Sequence, residues 1–201
     1  MLTVTTPVAA TALCTLDAVK AELKITTTDN DTEISGLIAA ASTAISNYCG
    51  RTSFGLETVL QTERLTTTRN RIILARDLLP VITSITLDGT ALVFNTDYEI
   101  DGQLLYRLSG VSRVQWCGSV LTIAYTAGYA LPGGAPADLS RAAVITVAGW
   151  YSARGRDPYL KTQEQPGLGT QTYWVGNLPG ADGALPKQAT DLLDNAMLVT
   201  L

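Results

Sequence analysis

The chain has 201 residues, 46% of them hydrophobic and 16% charged, with a formal net charge of −4. That balance excludes a disordered or solvating tail, and 14 Lys and Arg spread without a run exclude a surface built to grip nucleic acid. No apolar run reaches the ~18 residues of a membrane span, and the absence of His removes the commonest general base and the imidazole metal ligand.

In chain order, residues 1–14 read as an extended Thr/Ala-rich arm, and the opening Met-Leu-Thr-Val-Thr-Thr-Pro lacks the basic start and apolar core of a signal peptide. Thr15 then caps a helix from Leu16 to Lys24, with Asp17 near its positive end and Leu16, Val19 and Leu23 facing inward. A second helix runs from about Thr32 to Cys49 and ends at Gly50. Its residues Ile34, Leu37, Ile38, Ala41, Ala44, Ile45, Tyr48 and Cys49 share one stripe. The opposite face, with Ala39, Ala40, Thr43, Ser46 and Asn47, carries no charge. It suits either a packing surface for another chain or a plain Ser/Thr exterior.

From Ser53 to Tyr129 the period falls to two, with turn residues every 8–12 or so positions. Strands are expected at Glu57–Leu65, Arg71–Ala75, Ile82–Leu87, Leu92–Asn95, Tyr98–Ile100, Leu104–Leu108 and Val120–Tyr125, with Asp88-Gly89 and Asp101-Gly102 as turns. The segment 136–154 is the most apolar element. Pro136, Asp138 and Gly155 bracket a helix, although its run Val144-Ile145-Thr146-Val147 also suits a strand. On a helix, Leu139, Val147, Trp150 and Tyr151 form its core side, and apolar residues continue nearly all round. Such a helix needs cover from its own domain or from a neighbouring chain.

Residues 155–185 are rich in Gly and Pro but keep Tyr159, Tyr173 and Trp174. They read either as a partner-contacting arm or as a flexible loop, the aromatics favouring the arm; Thr170–Val175 suits a strand. Leu185-Pro186 opens a last helix to about Val199, with Ala189, Leu192, Leu193, Ala196 and Met197 as its stripe. The expected fold is α+β: one domain over 1–201, with a helical core of about four helices from 15–50, 136–154 and 186–199, and an antiparallel β insertion at 53–129.

Reactive constellations are scarce. Asp97-x-Glu99-x-Asp101-Gly102 imitates the start of a calcium loop, but Leu108 stands where the bidentate Glu belongs. The three acids read instead as outward charges flanking inward Tyr98 and Ile100. Two carboxylates at i, i+2 on a strand share a face, but solvated edge charges are commoner than an acid/base pair. No nucleophile elbow, P-loop or dinucleotide fingerprint occurs. Arg154 and Arg156 suit the last carbonyls of a helix better than a phosphate. Cys14, Cys49 and Cys117, odd in number and without a Cys-x-x-Cys pair, read as reduced core residues of a cytosolic protein. No catalytic residue, metal ligand or cofactor is expected.

The order of several short motifs carries more than any one of them. Val4-Thr5-Thr6-Pro7, the helix Leu16–Ile25, and an Ile/Ala-rich helix ending Tyr48-Cys49-Gly50-Arg51-Thr52 come first. Leu79-Pro80-Val81-Ile82-Thr83-Ser84-Ile85, Tyr125-Thr126-Ala127-Gly128-Tyr129, Pro136-Ala137-Asp138-Leu139 and Trp150-Tyr151 follow. Together they resemble the head–tail connector (adaptor) proteins of long-tailed bacteriophages, in the longer form with a β insertion. The resemblance covers nearly all of the chain except 155–185.

That resemblance implies a structural protein and no enzyme: a ring of about twelve subunits in the virion neck, assembled in the bacterial cytoplasm. The ring would dock on the portal, extend the DNA channel without sequence-specific binding, and carry the next neck or tail joining protein. The family's C-terminal portal-docking region maps onto the helix 186–199 and the segment before it. Tyr159, Tyr173, Trp174, Leu192, Leu193 and Met197 then become assembly and portal-contact candidates. A tail-completion or stopper protein of the same neck is the near alternative. A small carbohydrate-directed enzyme or binding module using Asp97, Glu99 or Asp101 is the distant one.

Overall fold

Strict alternation along Val120–Ala127, where Leu121, Ile123, Tyr125 and Ala127 are buried and their neighbours half-buried, marks the centre of a β unit. The computed structural model describes residues 1–154, 162–165, 169–172 and 185–197. Among these are four α-helices and eleven strands, an α+β fold with antiparallel sheets, divided between two compact units. The β unit comprises Met1–Ala10 and Phe54–Ala130. Its strands are β1 (Leu2–Thr6), β2 (Glu57–Arg64), β3 (Ile72–Ile73), β4 (Val81–Leu87), β5 (Thr90–Ala91), β6 (Tyr98–Asp101), β7 (Leu104–Ser109), β8 (Ser112–Val114) and β9 (Val120–Ala127).

One sheet has the order β1-β2-β9-β4-β5; the other has β3-β7-β6, with β8 also on β7. Inner residues of both, among them Val59, Ile72, Ile85, Leu105, Trp116, Ile123 and Tyr125, make one core cluster. Each aliphatic side chain buried there contributes ~1.5–3 kcal/mol.

The extended arm expected at residues 1–14 therefore contains a strand, with Leu2 opposite Gln61 and Val4 opposite Val59. The strand expected at Leu92–Asn95 is displaced to Thr90–Ala91. Asp88 and Gly89 both take positive φ, 50° and 84°, so the chain reverses at once into β5. Beyond it, Val93 N–H donates to Asp97 Oδ2 at 2.9 Å, which curls the chain instead of extending it. Strand β8 carried no readable pattern because all three of its residues are exposed.

Gln61 is a buried polar side chain, 4% exposed, between these sheets. Its Nε2 donates to Ile73 O at 3.0 Å and to Glu63 Oε1 at 2.9 Å. Its Oε1 accepts from Ala75 N at 2.9 Å and from Tyr125 Oη at 3.2 Å. Tyr125 Oη in turn accepts from Arg76 N at 3.1 Å, and burial pushes that phenol's pKa up. One side chain thus serves the backbone of β3 and the loop after it. Gln61→Leu keeps the volume but strands Ala75 N–H and the Ile73 carbonyl. We expect a loss of about 2–3 kcal/mol, read as a lower urea midpoint at unchanged slope; an unmoved midpoint would remove the network's stabilising role.

The helical unit comprises Thr11–Ser53 and Leu131–Leu201. Its helices are α1 (Leu16–Leu23), α2 (Asp31–Tyr48), α3 (Ala137–Ser152) and α4 (Lys187–Leu193), the last followed by a 3-10 turn at Asp194–Ala196. Thr15 caps α1 by accepting from Ala18 N at 3.2 Å. Val19, Ile34, Ile38, Ala41, Ile45, Leu139, Ala142, Ala143, Val147, Ala189 and Leu193 are buried. Lys20–Asp31 at 2.7 Å joins α1 to the start of α2. Arg141 of α3 grips both oxygens of Glu22 at 2.7 and 3.2 Å and holds that carboxyl's pKa below its usual value. Two further strands, β10 (Thr162–Gln165) and β11 (Gly169–Thr172), pair antiparallel with Thr162 opposite Thr172.

The last helix is shorter than expected: α-helical bonding stops at Leu193, and Met197 is already extended. Ser46, expected on the outer face of α2, is buried and donates to Ser42 O at 3.0 Å. Ala39, Ala40, Thr43 and Asn47 are exposed on that face.

Cys14 and Cys49 are buried, but Cys117 is exposed, which corrects its reading as a core residue; all three are free thiols. Cys117 follows β8 and Trp116, where no periodicity told inside from outside. Burial pushes the Cys14 thiol from 9.0 up to about 11 and raises Cys49 as well. A thiol reagent at pH 8 should therefore modify Cys117 alone until denaturant is added. Rapid native labelling at Cys14 would contradict its burial. Because the unfolded chain releases the Cys14 proton first, stability from this group is full below pH 9.0 and falls toward about 11.

Candidate assembly surfaces

In the helical unit, α3 and α4 flank an open groove of about 550 Å³ lined by Ile145, Ala148, Gly149, Ser152, Pro186, Lys187 and Gln188. Of the four residues expected to form the core side of α3, Leu139 and Val147 are buried, whereas Trp150 and Tyr151 are half-buried. Among the described residues, Trp150 Nε1 is enclosed without a hydrogen-bond partner. The Arg154 guanidinium lies 3.4 Å from the centroid of the Tyr151 ring, and its Nε donates to Tyr151 O at 3.1 Å. It also pairs with Glu33 of α2. Arg154 thus closes the end of its own helix, as the sequence implied; Arg156 lies outside the described residues.

At the C-terminal end, Leu193 is buried, Leu192 is half-buried and Met197 is 44% exposed. Arg51 Nε donates to Ala196 O at 3.1 Å and Tyr48 Oη to Asp194 Oδ1 at 3.4 Å, which ties this segment to the end of α2. Tyr159, Tyr173 and Trp174 lie outside the described residues.

Two acids of the trio in the β unit, Asp97 and Glu99, are engaged by arginine. Asp97 pairs with Arg107 at 3.5 Å, and Glu99 with Arg113. Among the described residues no group of three or more His, Cys, Asp and Glu is placed to hold a metal ion. No helix among them is long and apolar enough to cross a membrane.

The same unit exposes apolar residues at both margins of its five-stranded sheet. Val4 on β1 is 42% exposed, while Leu79, two residues before β4, and Val81, its first residue, are 66% and 63% exposed. In sequence alone these margins are hidden, because residues 1–14 read as an extended arm. The signal was there in Leu2–Thr6, an uncharged, β-prone run closed by Pro7.

A family model described as "Head completion protein" matches residues 12–160, most of the chain. The chain belongs to the head completion protein family. The matched span includes α1 to α3 and β2 to β9, and leaves out β1, β10, β11 and α4.

Among solved structures the chain is similar to one in the neck of an empty gene transfer agent particle computed with C6 symmetry. The TM-score is 0.56 at 16% identity, covering 100% of this chain and 97% of that one. A second similar chain is in the neck of the native particle computed with C12 symmetry, at TM-score 0.52, 16% identity and the same coverage. A third, from the virion of the native particle, has TM-score 0.52 at 15% identity. Among curated proteins none matches. At these identities the structural likeness fixes the fold, which agrees with the α+β expectation.

Proposed function

We propose that this member of the head completion family is a non-enzymatic component of a virion neck, present as a ring of about twelve copies docked on the portal. The observation that carries the proposal is the full-length likeness to chains in necks solved with C6 and C12 symmetry. Exposed apolar residues on the β unit and an uncharged outer face on α2 support it, since each copy of a ring must cover two different flanks. The net charge of −4 suits a channel that lets DNA slide without holding it. The ring extends that channel and carries the next joining protein of the neck.

The portal-facing part in this reading is the C-terminal region, with Leu192 and Met197 making contact alongside Tyr159, Tyr173 and Trp174. Leu193 is buried in the helical unit. Electron microscopy of the full chain mixed with the portal protein of its own particle tests the reading, and a ring seated on the portal is the expected image. A ring that joins only a pre-formed portal–adaptor complex would make it a stopper instead. Met197→Glu, at an exposed position, should weaken portal docking at least tenfold without lowering the thermal midpoint. Deleting 160–183 should abolish docking outright; unaffected docking in both variants would remove the C-terminal assignment.

A further inference from the structure

We infer that copies of this chain join through their β units, the β1 edge of one pairing with the free edge of β4 in the next, so that the sheets run on from copy to copy. The inference rests on the ring reading and deepens it by naming the surface.

A five-stranded sheet ordered β1-β2-β9-β4-β5 has two different edges. On one, nothing among the described residues pairs with the outer side of Leu2–Thr6. On the other, β5 covers only Thr86 and Leu87, and Leu92 N–H reaches Ile85 O at 2.9 Å. Val81 to Ser84 stay open on that side among the described residues, and Val81, Thr83 and Ser84 are exposed.

Open edges in self-sufficient proteins are guarded by charged side chains, above all Lys, as well as by Pro, bulges and short length. Here neither Leu2–Pro7 nor Pro80–Thr86 contains a charged residue. Each edge offers an exposed valine instead, Val4 and Val81, and β-prone Thr beside it. Each is also kept short. Pro7 and Pro80 close one end of each run, and register shifts between Val4 and Thr6 and between Ile82 and Ser84 break the ladders. Matched short edges suit a contact of a few residues that closes into a ring and resists unlimited sheet growth.

The strand directions agree. β1, β2, β9 and β4 are successive antiparallel neighbours, so β1 and β4 run in opposite directions. A copy displaced by a small fraction of a turn about a ring axis keeps its strand directions. Its β1 therefore arrives antiparallel to β4, the more stable pairing. Because the two edges differ, the contact is heterologous and repeats, as a cyclic assembly requires.

Cysteine pairing tests this in the full chain co-assembled with its portal. In a Cys117→Ser background, Val4→Cys is combined in turn with V81C, T83C and S84C, all at exposed positions. Opposed residues of adjacent strands fall within disulfide reach, so oxidation of assembled rings should yield a covalent ladder up to the closed ring on a denaturing gel. V4C alone and V81C alone should give none. Val81→Lys should abolish ring formation with an unchanged thermal midpoint. Rings visible by microscopy that stay single chains on the gel with every pair would overturn the edge contact while leaving the ring reading intact. Particles without any ring of this chain would overturn that reading and the contact together.

Discussion

Gly128→Ala is expected to cost more than about 4 kcal/mol, enough to take much of the stability of a domain this size. Gly128 sits at φ +109°, where a side chain is strained whatever the space around it. A Cβ there would lie 2.2 Å from the Gly55 carbonyl oxygen, 2.6 Å from its carbon and 2.9 Å from Leu56 N. All three are backbone atoms held in place by the same junction. Gly55 and Tyr129 form a parallel bridge, Leu56 N–H donates to Tyr129 O at 2.8 Å, and Tyr129 N–H donates to Phe54 O at 2.9 Å. Gly128 N–H itself donates to Leu78 O at 2.8 Å, so it cannot move away without losing that bond. Gly36→Ala is the control. Gly36 lies within α2, with nothing within 4 Å of a new Cβ, and the change should stabilise by roughly 0.5–1 kcal/mol. Equal effects from the two substitutions in urea unfolding would show that the clash at Gly128 is relieved at no cost.

Trp116→Ala should come next, at ~3–5 kcal/mol. Trp116 is the largest of the fully buried side chains and belongs to the cluster shared by both sheets of the β unit. Its Nε1 donates to Leu105 O at 3.2 Å, and its backbone exchanges bonds with Arg69 at 2.7 and 3.3 Å. The Arg107 guanidinium stands 6.0 Å from the centroid of its ring. Trp116→Phe keeps a ring without the donor and should lose about 1–2 kcal/mol. Near-ultraviolet dichroism and urea midpoints of the two variants separate packing from hydrogen bonding. If Phe costs as much as Ala, the hydrogen bond dominates and the cavity argument fails.

Elements with local causes were legible in the sequence. Thr15 announces α1 because its cap bond is made three residues away, and β9 announces itself because burial alternates along it. Elements with distant causes were not. β1 has meaning only opposite β2, with Leu2 beside Gln61, so a reading of residues 1–14 alone could see no more than an arm. β8 is exposed throughout and has no period to read; Trp116 and Cys117 follow it, one buried and the other exposed, with nothing between them to say which. The polar role of Gln61 was likewise invisible, since a Gln inside an otherwise alternating strand looks like any outward residue until Ile73 and Ala75 are placed beside it. Leu139 and Val147, expected on the core side of α3, are buried, and so is Leu193. Val4 and Val81, open at the sheet margins, stand out only once β1 is set opposite β2.

The pairing of β1 with β2, and of β2 with β9, bears on how the chain matures during synthesis. Glu57 must wait for Ala127, and Val59 for Tyr125, so β2 leaves the ribosome well before the strand that completes its sheet. Contacts of such long sequence separation make folding slow and leave unpaired strands open to misassociation in the meantime. Helices α1 and α2, both translated before β2, need only local bonds and can form first. Nascent chains cut short before Val120 should therefore carry helix but no finished sheet, and would depend on chaperones until the ninth strand emerges.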